Sequence, residues 1–210
     1  MIYIEKGLEP LSFSEWKSLA NSDWTPTFDS LRNPQKAELI QSLLREQHGI
    51  CCYCEQSISE KTLHIEHLVP QSVDATKALE YRNMACSCIR NTPQNTNLHC
   101  GHKRENWYDS DYISPLEEDC ESHFSFSWDG TIRPNDCTDN RAVNMIQHLA
   151  LNHVVLNEKR KAALDPIIDL QMTKEQMILY AQKVTQQNSN GMYNPGFPSL
   201  FRDLDRKSVV

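Results

Sequence analysis

The stretch that decides the fold of this chain runs from Cys51 to Lys103. It contains Cys51-Cys52-Tyr53-Cys54, then His64-Ile65-Glu66-His67-Leu68-Val69-Pro70, and then Asn83, Cys88, Cys100 and His102. Thiols, imidazoles and a carboxylate at this density indicate bound metal, because these side chains coordinate zinc and other divalent ions. The sequence therefore predicts a metal centre within these residues.

The cysteines of this stretch form two couples that satisfy the tetrahedral preference of zinc. The first couple has the usual two-residue gap and the second is less regular. Cys86 competes with Cys88, and Cys52 with Cys51, for the same positions. The predicted ligands of a closed, structural zinc site are Cys51, Cys54, Cys88 and Cys100. The remaining cysteines, which we expect to be small buried or half-buried hydrophobes, are Cys52, Cys86, Cys120 and Cys137.

The dipeptide Glu66-His67 lies between the two cysteine couples and is suited to catalysis. Hydrolysis of a phosphodiester bond needs a base that activates water and a cation that stabilises charge on the phosphate. Histidine suits the base, and a carboxylate suits a hard cation such as Mg²⁺ or Mn²⁺. In a regular strand the two side chains point to opposite faces, unless a bulge or the strand end re-aims one. An exposed pair without function is the alternative for an isolated Glu-His dipeptide.

Two further residues complete the predicted active site. Asn83 is predicted to fix the imidazole of His67 through its side-chain carbonyl, and simple loop capping is the alternative. His102 is predicted to be the second protein ligand of the catalytic metal, with His99 and His64 as competitors. The predicted catalytic residues are His67, Glu66, Asn83 and His102, of which Glu66 and His102 hold the catalytic metal.

Composition limits the classes of function. The net charge of the 210-residue chain is −7, which argues against binding of nucleic acid by a broad basic surface. The sequence shows neither a secretory signal nor an apolar run of the roughly 18 residues that a membrane span requires. We therefore expect a soluble cytoplasmic protein without membrane contact, in which the cysteines bind metal rather than form disulfides.

The chain is predicted to form one compact body from three segments. Residues 1–49 form an arm without regular period and then a helix capped by Asn33, with Pro34 at its first position. Residues 50–108 form the metal-rich core, with a hairpin in Ile50–Pro70, a loop or short helix in Ser72–Ala85, and an irregular loop in Ile89–Leu98.

Residues 109–210 are predicted to contain a hairpin followed by helices. Asp129-Gly130 marks the hairpin turn, and an apolar helical pattern begins near Ala142 and ends at Asp165-Pro166. A last helix starts at Thr173, where Gln176 completes a capping box. The tail after Asn188 is rich in Asn, Gly and Pro, and we expect it to be loose.

The order Cys-x-x-Cys, Glu-His-x-x-Pro, Asn, Cys, and a last Cys with a nearby His and Lys resembles the HNH endonuclease family. The resemblance implies an α+β fold, in which a ββα-metal finger with a zinc-binding cysteine tetrad is embedded in a mainly α-helical body. It also implies that His67 is the general base, Glu66 a metal ligand and Asn83 the central asparagine. The usual ligand position after the last cysteine is Gly101, which has no side chain, so His102 is the nearest candidate.

Over roughly residues 33–165 the chain is also similar to the PtuB-like nucleases of Septu and retron-associated anti-phage systems. The matching runs are Leu44–Glu55, Ile65–Ser72, His99–Lys103, and Leu149–Asn152 with Arg160. This resemblance implies a prokaryotic defence effector that works with an ATPase partner of the PtuA type. Its substrate would be DNA, or RNA such as transfer RNA.

Two other classes of function remain open from the sequence. A zinc module with an inactive catalytic site that only recruits a partner protein is favoured by Gly101 and by the lack of basic surface. A redox or zinc-hydrolase site built on the cysteines is the third interpretation.

Overall fold

The predicted site lies on a two-stranded antiparallel sheet. Strand β1 (Leu63–His67) pairs with β2 (Met84–Cys88) in the computed structural model, which describes residues 1–89, 98–193 and 196–208. His64 lies opposite Ser87, and Glu66 lies opposite Ala85. Because side chains alternate across a strand, His64 and Glu66 share one face of the sheet and His67 lies on the other.

The remaining regular elements are mainly helical. In chain order, the helices and strands are α1 (Leu11–Ser18), α2 (Gln35–Glu46), β1, β2, α3 (Gly101–Arg104), β3 (Phe124–Phe126), β4 (Ile132–Pro134), α4 (Asn140–His148), α5 (Val154–Asp169), α6 (Lys174–Val184) and α7 (Pro198–Ser208). Short 3₁₀ turns lie at Phe28–Ser30, Ala75–Leu79, Tyr81–Asn83 and Cys120–His123. The observed fold is therefore α+β, with small sheets among helices.

The sheet separates two apolar clusters. One face packs on α1 and α2 in a cluster made by Phe13, Leu31, Leu39, Leu43, Leu63, Tyr81, Met84 and Cys86. The larger cluster includes the cysteines of the metal-rich core and residues of α4 to α7, and it reaches back to Met1 and Ile4. Ala85 and Ser87 are small residues on the second face of the sheet, so α3 can approach closely there.

Several predicted strand and turn features are confirmed, and one pairing is wrong. β3 and β4 form the predicted hairpin, in which Gly130 adopts a positive φ of 81°. The hairpin expected within Ile50–Pro70 is reduced to a single bridge between Ile50 and Ser57. β1 instead pairs with β2, because Met84–Cys88 supplies a longer apolar partner strand after the 3₁₀ turns of Ser72–Ala85. The predicted loop Ile89–Leu98 falls largely outside the described residues.

The helix predictions need corrections at their ends. Asn33 does not cap α2, because Pro34 occupies the N-cap position and makes no side-chain cap hydrogen bond. The arm contains a helix, α1, that its irregular apolar pattern did not indicate. α5 continues through Pro166 to Asp169 rather than ending at Asp165-Pro166. The capping box of Thr173 and Gln176 at the start of α6 is confirmed.

The segment after Asn188 is not a loose tail throughout. α7 packs against α6 and β3, and Leu200 and Phe201 are buried in the larger core cluster. The Ser199 backbone N–H donates to Glu55 Oε2 at 2.8 Å, and the Met1 amino group contacts the same carboxylate. The N-terminus and the start of α7 therefore both contact Glu55, the residue that follows Cys54. Within the described residues, no helix is both long and apolar enough to span a bilayer.

Candidate active site and metal centre

The four predicted zinc ligands come together. The Sγ atoms of Cys51, Cys54, Cys88 and Cys100 lie within 4.8 Å of one another, and all four residues are buried. The Sγ atoms of Cys54 and Cys88 are 3.7 Å apart. A tetrahedral zinc with Zn–S bonds of about 2.3 Å requires sulfur separations of about 3.8 Å. The thiol cluster therefore fits a tetrahedral zinc ion.

Groups around the cluster support thiolate ligands. The Cys88 backbone N–H donates to Cys51 Sγ at 3.3 Å, and the Ser87 hydroxyl lies 3.7 Å from the same sulfur. Burial alone would raise the pKa of Cys51, but hydrogen bonds from neighbouring thiols lower it well below its ordinary value. His99 Nδ1 lies 3.2 Å from Cys100 Sγ, which places this histidine beside the cysteine cluster.

The competing cysteines lie outside the cluster. Cys86 points to the other face of the sheet and packs in the apolar cluster beneath α1 and α2. Cys52 and Cys120 are also buried, as predicted, and burial raises the pKa of Cys120 to about 12. Cys137 is exposed, so its assignment as a buried or half-buried hydrophobe was wrong. It follows β4 in a polar segment that does not enter either core.

His64 and Glu66 form a pair of converging donor atoms on the second face of the sheet. His64 Nε2 lies 3.0 Å from Glu66 Oε2, and His64 Nδ1 lies 3.2 Å from the carbonyl of Ile89. A carbonyl only accepts, so Nδ1 carries a hydrogen, and Nε2 donates to the carboxylate when the ring is protonated. Burial lowers the pKa of His64, but the hydrogen bond and charge attraction from Glu66 outweigh this effect and raise it. Without the Nε2 proton, His64 and Glu66 present two acceptors to each other, an arrangement that a cation can occupy in place of the proton.

The other oxygen of Glu66 is held by a buried network. Arg104 of α3 contacts Glu66 Oε1 at 2.7 Å, and the Tyr53 hydroxyl donates to the same oxygen at 3.2 Å. The Arg104 guanidinium also donates to the carbonyls of His67 at 2.6 Å and Leu68 at 2.8 Å. Arg104 is only 3% exposed, so it fixes the end of β1 and does not offer a surface contact for phosphate.

Gly101 provides the space for the Glu66 carboxylate. A Cβ atom at residue 101 would lie 2.0 Å from Glu66 Oε2 and 2.8 Å from His64 Nε2. Real Cβ contacts are not this short, so any side chain would displace the pair. The Glu66 carboxylate thus fills the space that a ligand side chain at position 101 would need.

His67 lies at the end of β1 on the opposite face. Its Nε2 lies 3.0 Å from the Ala78 carbonyl, so Nε2 carries the hydrogen and the neutral ring keeps a lone pair on Nδ1. The Gln71 side-chain amide nitrogen is 3.4 Å from Nδ1. The Phe28 ring packs edge-on against the imidazole, with ring centroids 4.5 Å apart. Burial lowers the pKa of His67 despite the opposing hydrogen bond to Ala78, which favours the neutral, proton-accepting form.

Asn83 acts on the loop that follows β1 rather than on the imidazole directly. Its side-chain carbonyl accepts from the Val69 N–H at 2.7 Å, and its amide donates to the carbonyls of Val69 and Lys77, both at 3.0 Å. Lys77 precedes Ala78, whose carbonyl contacts His67. Asn83 can therefore position the His67 imidazole only indirectly, through the backbone of Lys77 and Ala78.

His102 is close to the His64–Glu66 pair without joining it as a compact ligand set. The rings of His64 and His102 have centroids 4.4 Å apart, and His102 Nε2 donates to the Ile89 carbonyl. Among the described residues, the four cysteines are the one group of three or more candidate ligands that lie within 4.8 Å. His64 Nε2 contacts the Glu66 carboxylate at 3.0 Å, whereas Nε2 of the predicted ligand His102 is bound to the Ile89 carbonyl.

Sequence reasoning did not identify several residues that shape this site. The hydroxyl groups of Tyr53 and Tyr112 are hydrogen-bonded at 3.1 Å, and the Tyr53 hydroxyl also donates to Glu66. Phe28 comes from the N-terminal arm, far from the cysteines in sequence. The alternation of β1 did contain one available signal, since His64 and Glu66 are two residues apart and therefore share a face.

Comparison with known proteins agrees with the resemblance found in the sequence. No protein-family model matches the chain. Over 180 residues the chain is 28% identical to a protein of Vibrio cholerae serotype O1 biovar El Tor, named as the candidate HNH endonuclease of retron Vc95. The match covers 80% of this chain and 80% of the relative. This similarity supports a nuclease of the HNH type.

Proposed function

We propose that the protein is a metal-dependent HNH endonuclease that hydrolyses phosphodiester bonds in nucleic acid, with DNA as the favoured substrate. One observation carries the proposal. The strand that presents the His64–Glu66 donor pair ends at His67, whose Nδ1 keeps its lone pair because Nε2 is hydrogen-bonded to Ala78. A nuclease requires a cation site and a base, and β1 carries both, with His67 at the strand end on the face opposite His64 and Glu66.

His67 is the base that takes a proton from the attacking water. The Ala78 carbonyl and the Phe28 ring fix its imidazole, so the same nitrogen is presented throughout the reaction. Its lowered pKa keeps the ring neutral near pH 7, the state in which it accepts a proton. Asn83 positions His67 indirectly, through the backbone around Lys77 and Ala78.

His64 Nε2 and Glu66 Oε2 would hold the catalytic divalent cation, Mg²⁺ or Mn²⁺. A cation bound there supplies positive charge that stabilises the phosphate and the leaving oxygen. The Ile89 carbonyl orients His64, while Arg104 and Tyr53 orient Glu66 through its other oxygen. Hydrogen bonds of this kind fix the direction and protonation state of metal-binding side chains.

The cysteine cluster would bind zinc in a structural role. Its four ligand positions are filled by thiols, so the ion has no open position for substrate or water. The zinc would connect the end of β2 to the start of α3, the two elements that border the His64–Glu66 pair.

The proposal includes action as an effector of a prokaryotic anti-phage complex of the Septu or retron type, with an ATPase partner of the PtuA type. The retron relative supports the defence setting, and the ATPase partner rests on the resemblance to PtuB-like nucleases. The acidic net charge of −7 is consistent with a partner that contributes contacts to nucleic acid.

Substitution of the base tests the function. DNA and RNA are incubated with Mg²⁺ or Mn²⁺ and the wild-type chain, alone and with its ATPase partner, beside the His67→Ala and His148→Ala variants. His148 is an exposed histidine stacked on Trp107 and serves as the control. We expect His67→Ala to lower the cleavage rate by about 100-fold or more, the usual contribution of a general base, while His148→Ala cleaves normally. Equal cleavage by His67→Ala and wild type would refute the mechanism.

A second pair of variants decides between the two candidate histidine ligands. We expect His64→Ala to raise the Mn²⁺ concentration needed for half-maximal cleavage by at least about tenfold, because it removes one of two converging donors. His102→Ala should raise it less, since its ring packs beside His64 and its Nε2 is bound to a backbone carbonyl. The reverse order of effects would restore His102 as the ligand.

A further inference from the structure

We propose that a groove lined by Arg32, Lys36 and Lys61 binds the phosphodiester backbone of the nucleic-acid substrate beside the cleavage site. This inference deepens the proposed nuclease function and rests on it. Arg32 lies just before α2, Lys36 lies in its first turn and Lys61 lies in the turn before β1, outside the elements that hold the metal-binding side chains.

The groove is an open cavity of about 480 Å³ on the surface of the protein. Arg32 and Lys61 are exposed and Lys36 is half-buried. The apolar atoms of Leu31, Ala37 and Ile40 form the rest of its wall together with Asn33 and Glu60. A lining of apolar atoms and cations suits a sugar-phosphate backbone, which has both apolar and anionic parts.

The groove adjoins a second cavity that borders the candidate active site. It shares Lys36, Ile40 and Glu60 with a second cavity of about 190 Å³, which is also lined by His64 and Ile65. Phe28 lines this second cavity and contacts the His67 ring at a centroid distance of 4.5 Å. A strand lying in the groove would therefore reach Phe28, which packs on His67, and the part of β1 that carries His64.

The second cavity also shows how Lys36 is placed. Its Nζ lies 5.8 Å from the centroid of the Phe28 ring, so the same ring contacts Lys36 and His67. A phosphate bound by Lys36 would be adjacent to the bond presented to the base. Lys36 is accordingly the cation of the groove closest to the chemistry.

The charge of the groove contrasts with that of the chain. The whole sequence has 21 Lys and Arg against 28 Asp and Glu, whereas the groove has three cations and one carboxylate. A third cavity of about 380 Å³ shares Lys61 with the groove and adds Lys159. The cations thus line three adjoining cavities, and such clustering is what polyanion binding requires in an acidic protein.

Salt-dependent binding tests this groove. In a cleavage-inactive His67→Ala background, the triple variant Arg32→Ala/Lys36→Ala/Lys61→Ala is compared with Lys161→Ala/Lys174→Ala/Lys183→Ala. The second triple removes the same charge from exposed lysines of α5 and α6. Binding of the isolated chain to fluorescent DNA and RNA strands of equal sequence is followed by anisotropy over a series of salt concentrations.

We expect the groove triple to reduce the slope of log affinity against log salt by about 2 to 3, because each lost phosphate contact contributes about 0.7 to 0.9. The control triple should keep the slope of its parent. An equal loss for DNA and RNA identifies the shared backbone as the ligand, and a loss confined to one of them identifies that nucleic acid. Equal slopes for the two triples, or the absence of salt-dependent binding by the parent chain, would overturn the inference.

The outcome for the groove can be separated from the outcome for the nuclease. If the wild-type chain cleaves nothing but the groove triple loses its slope, the groove stands and the proposed activity fails. If wild type cleaves and the groove triple matches the control triple, the activity stands and the groove is refuted. Circular dichroism of both triples before binding establishes that each is folded.

Discussion

The cysteine cluster and the His64–Glu66–His67 site differ in how completely their donor atoms are enclosed. The four thiols are of one kind, all are buried, and together they fill a tetrahedral site. The second site combines an imidazole and a carboxylate, and the His64 side chain is 22% exposed. A filled site can only hold structure, whereas a partly open one leaves room for substrate. We therefore expect the two sites to have separate roles although they share one sheet.

We expect the His64–Glu66–His67 site to depend on the cysteine cluster, but not the reverse. Cys88 ends β2 and Cys100 immediately precedes α3, while the Gly101 N–H donates to Ser87 Oγ at 3.2 Å. Zinc bound to these cysteines would fix α3 against the face that carries His64 and Glu66. Loss of zinc should therefore disrupt the open site, and loss of the open site should leave zinc bound.

Removal of a zinc ligand should have the largest effect. We expect Cys54→Ser to lose its zinc and its cooperative unfolding transition, since structural zinc contributes about 10 to 16 kcal/mol of binding free energy in small zinc-finger peptides. Cys86→Ala, which alters a buried thiol outside the cluster, should keep one zinc per chain. Elemental analysis and thermal denaturation measure both properties. A zinc-loaded Cys54→Ser protein of normal stability would show that the cluster is a set of core thiols.

Arg104→Met should be the next most damaging change. It leaves Glu66 buried without its cation and removes the donors to the His67 and Leu68 carbonyls. Breaking a buried ion pair in this way costs about 3 to 5 kcal/mol, measurable by denaturant unfolding.

The control for Arg104 is Arg202→Met, which breaks a 2.8 Å ion pair with Glu121 whose arginine is 40% exposed. A pair of that kind contributes about 1 kcal/mol or less. Similar losses for the two variants would mean that Arg104 does not support the site in the way described.

Gly101→Ala should affect the open site more than the fold. The added methyl group would collide with Glu66 Oε2, and such overpacking costs about 1 to 3 kcal/mol. Alanine is otherwise the better residue for a helix, so a loss of stability at this position has a steric cause. We expect zinc to remain bound and cleavage to fall by at least about tenfold, since Glu66 must move. Gly7→Ala is the control, because the atom nearest to its added Cβ, Glu46 Oε1, would lie at 3.2 Å. Unchanged cleavage by Gly101→Ala would show that Glu66 tolerates displacement.

Tyr53→Phe should have the smallest effect. The hydroxyl donates to Glu66 Oε1 at 3.2 Å, and Arg104 still holds this oxygen after the hydroxyl is removed. A single hydrogen bond contributes about 0.5 to 1.5 kcal/mol, so both stability and cleavage should change slightly. Tyr193→Phe removes a hydroxyl that contacts Arg202 at 3.1 Å, and it should alter stability without altering cleavage. A loss of cleavage as large as that of Arg104→Met would assign Tyr53 a larger role.

The residues of the metal-rich core were predictable because their chemistry is local in sequence. The two-residue gap between Cys51 and Cys54 indicates a metal site by itself, and the structure brings the predicted, less regular second couple, Cys88 and Cys100, to the same place. The capping box at Thr173 and the turn at Gly130 were likewise predictable, since each depends on neighbouring residues. The pairing of β1 with β2 was not, because strand partners are chosen by packing between segments distant in sequence.

The support of the open site was also beyond the reach of sequence reasoning. Arg104 looks like an exposed basic residue in the sequence, and only the approach of α3 to β1 buries it. Phe28 and Lys36 reach the active site because the N-terminal arm and α2 pack against the sheet. In the same way the acidic net charge concealed a local groove of cations, since composition averages over the whole surface.

The most direct test of separate roles is a joint measurement of zinc content and Mn²⁺-dependent cleavage for wild type and Glu66→Gln. Glutamine keeps the shape of the side chain and an oxygen for Tyr53 and Arg104, but it removes the counter-charge of Arg104 and lowers stability, so both proteins are compared where circular dichroism shows them folded. We predict one zinc per chain in both proteins, and at least about 100-fold slower cleavage by Glu66→Gln at Mn²⁺ concentrations that saturate wild type. Cleavage by Glu66→Gln at the wild-type rate, or a loss of zinc together with cleavage, would contradict the division between a structural and a catalytic site.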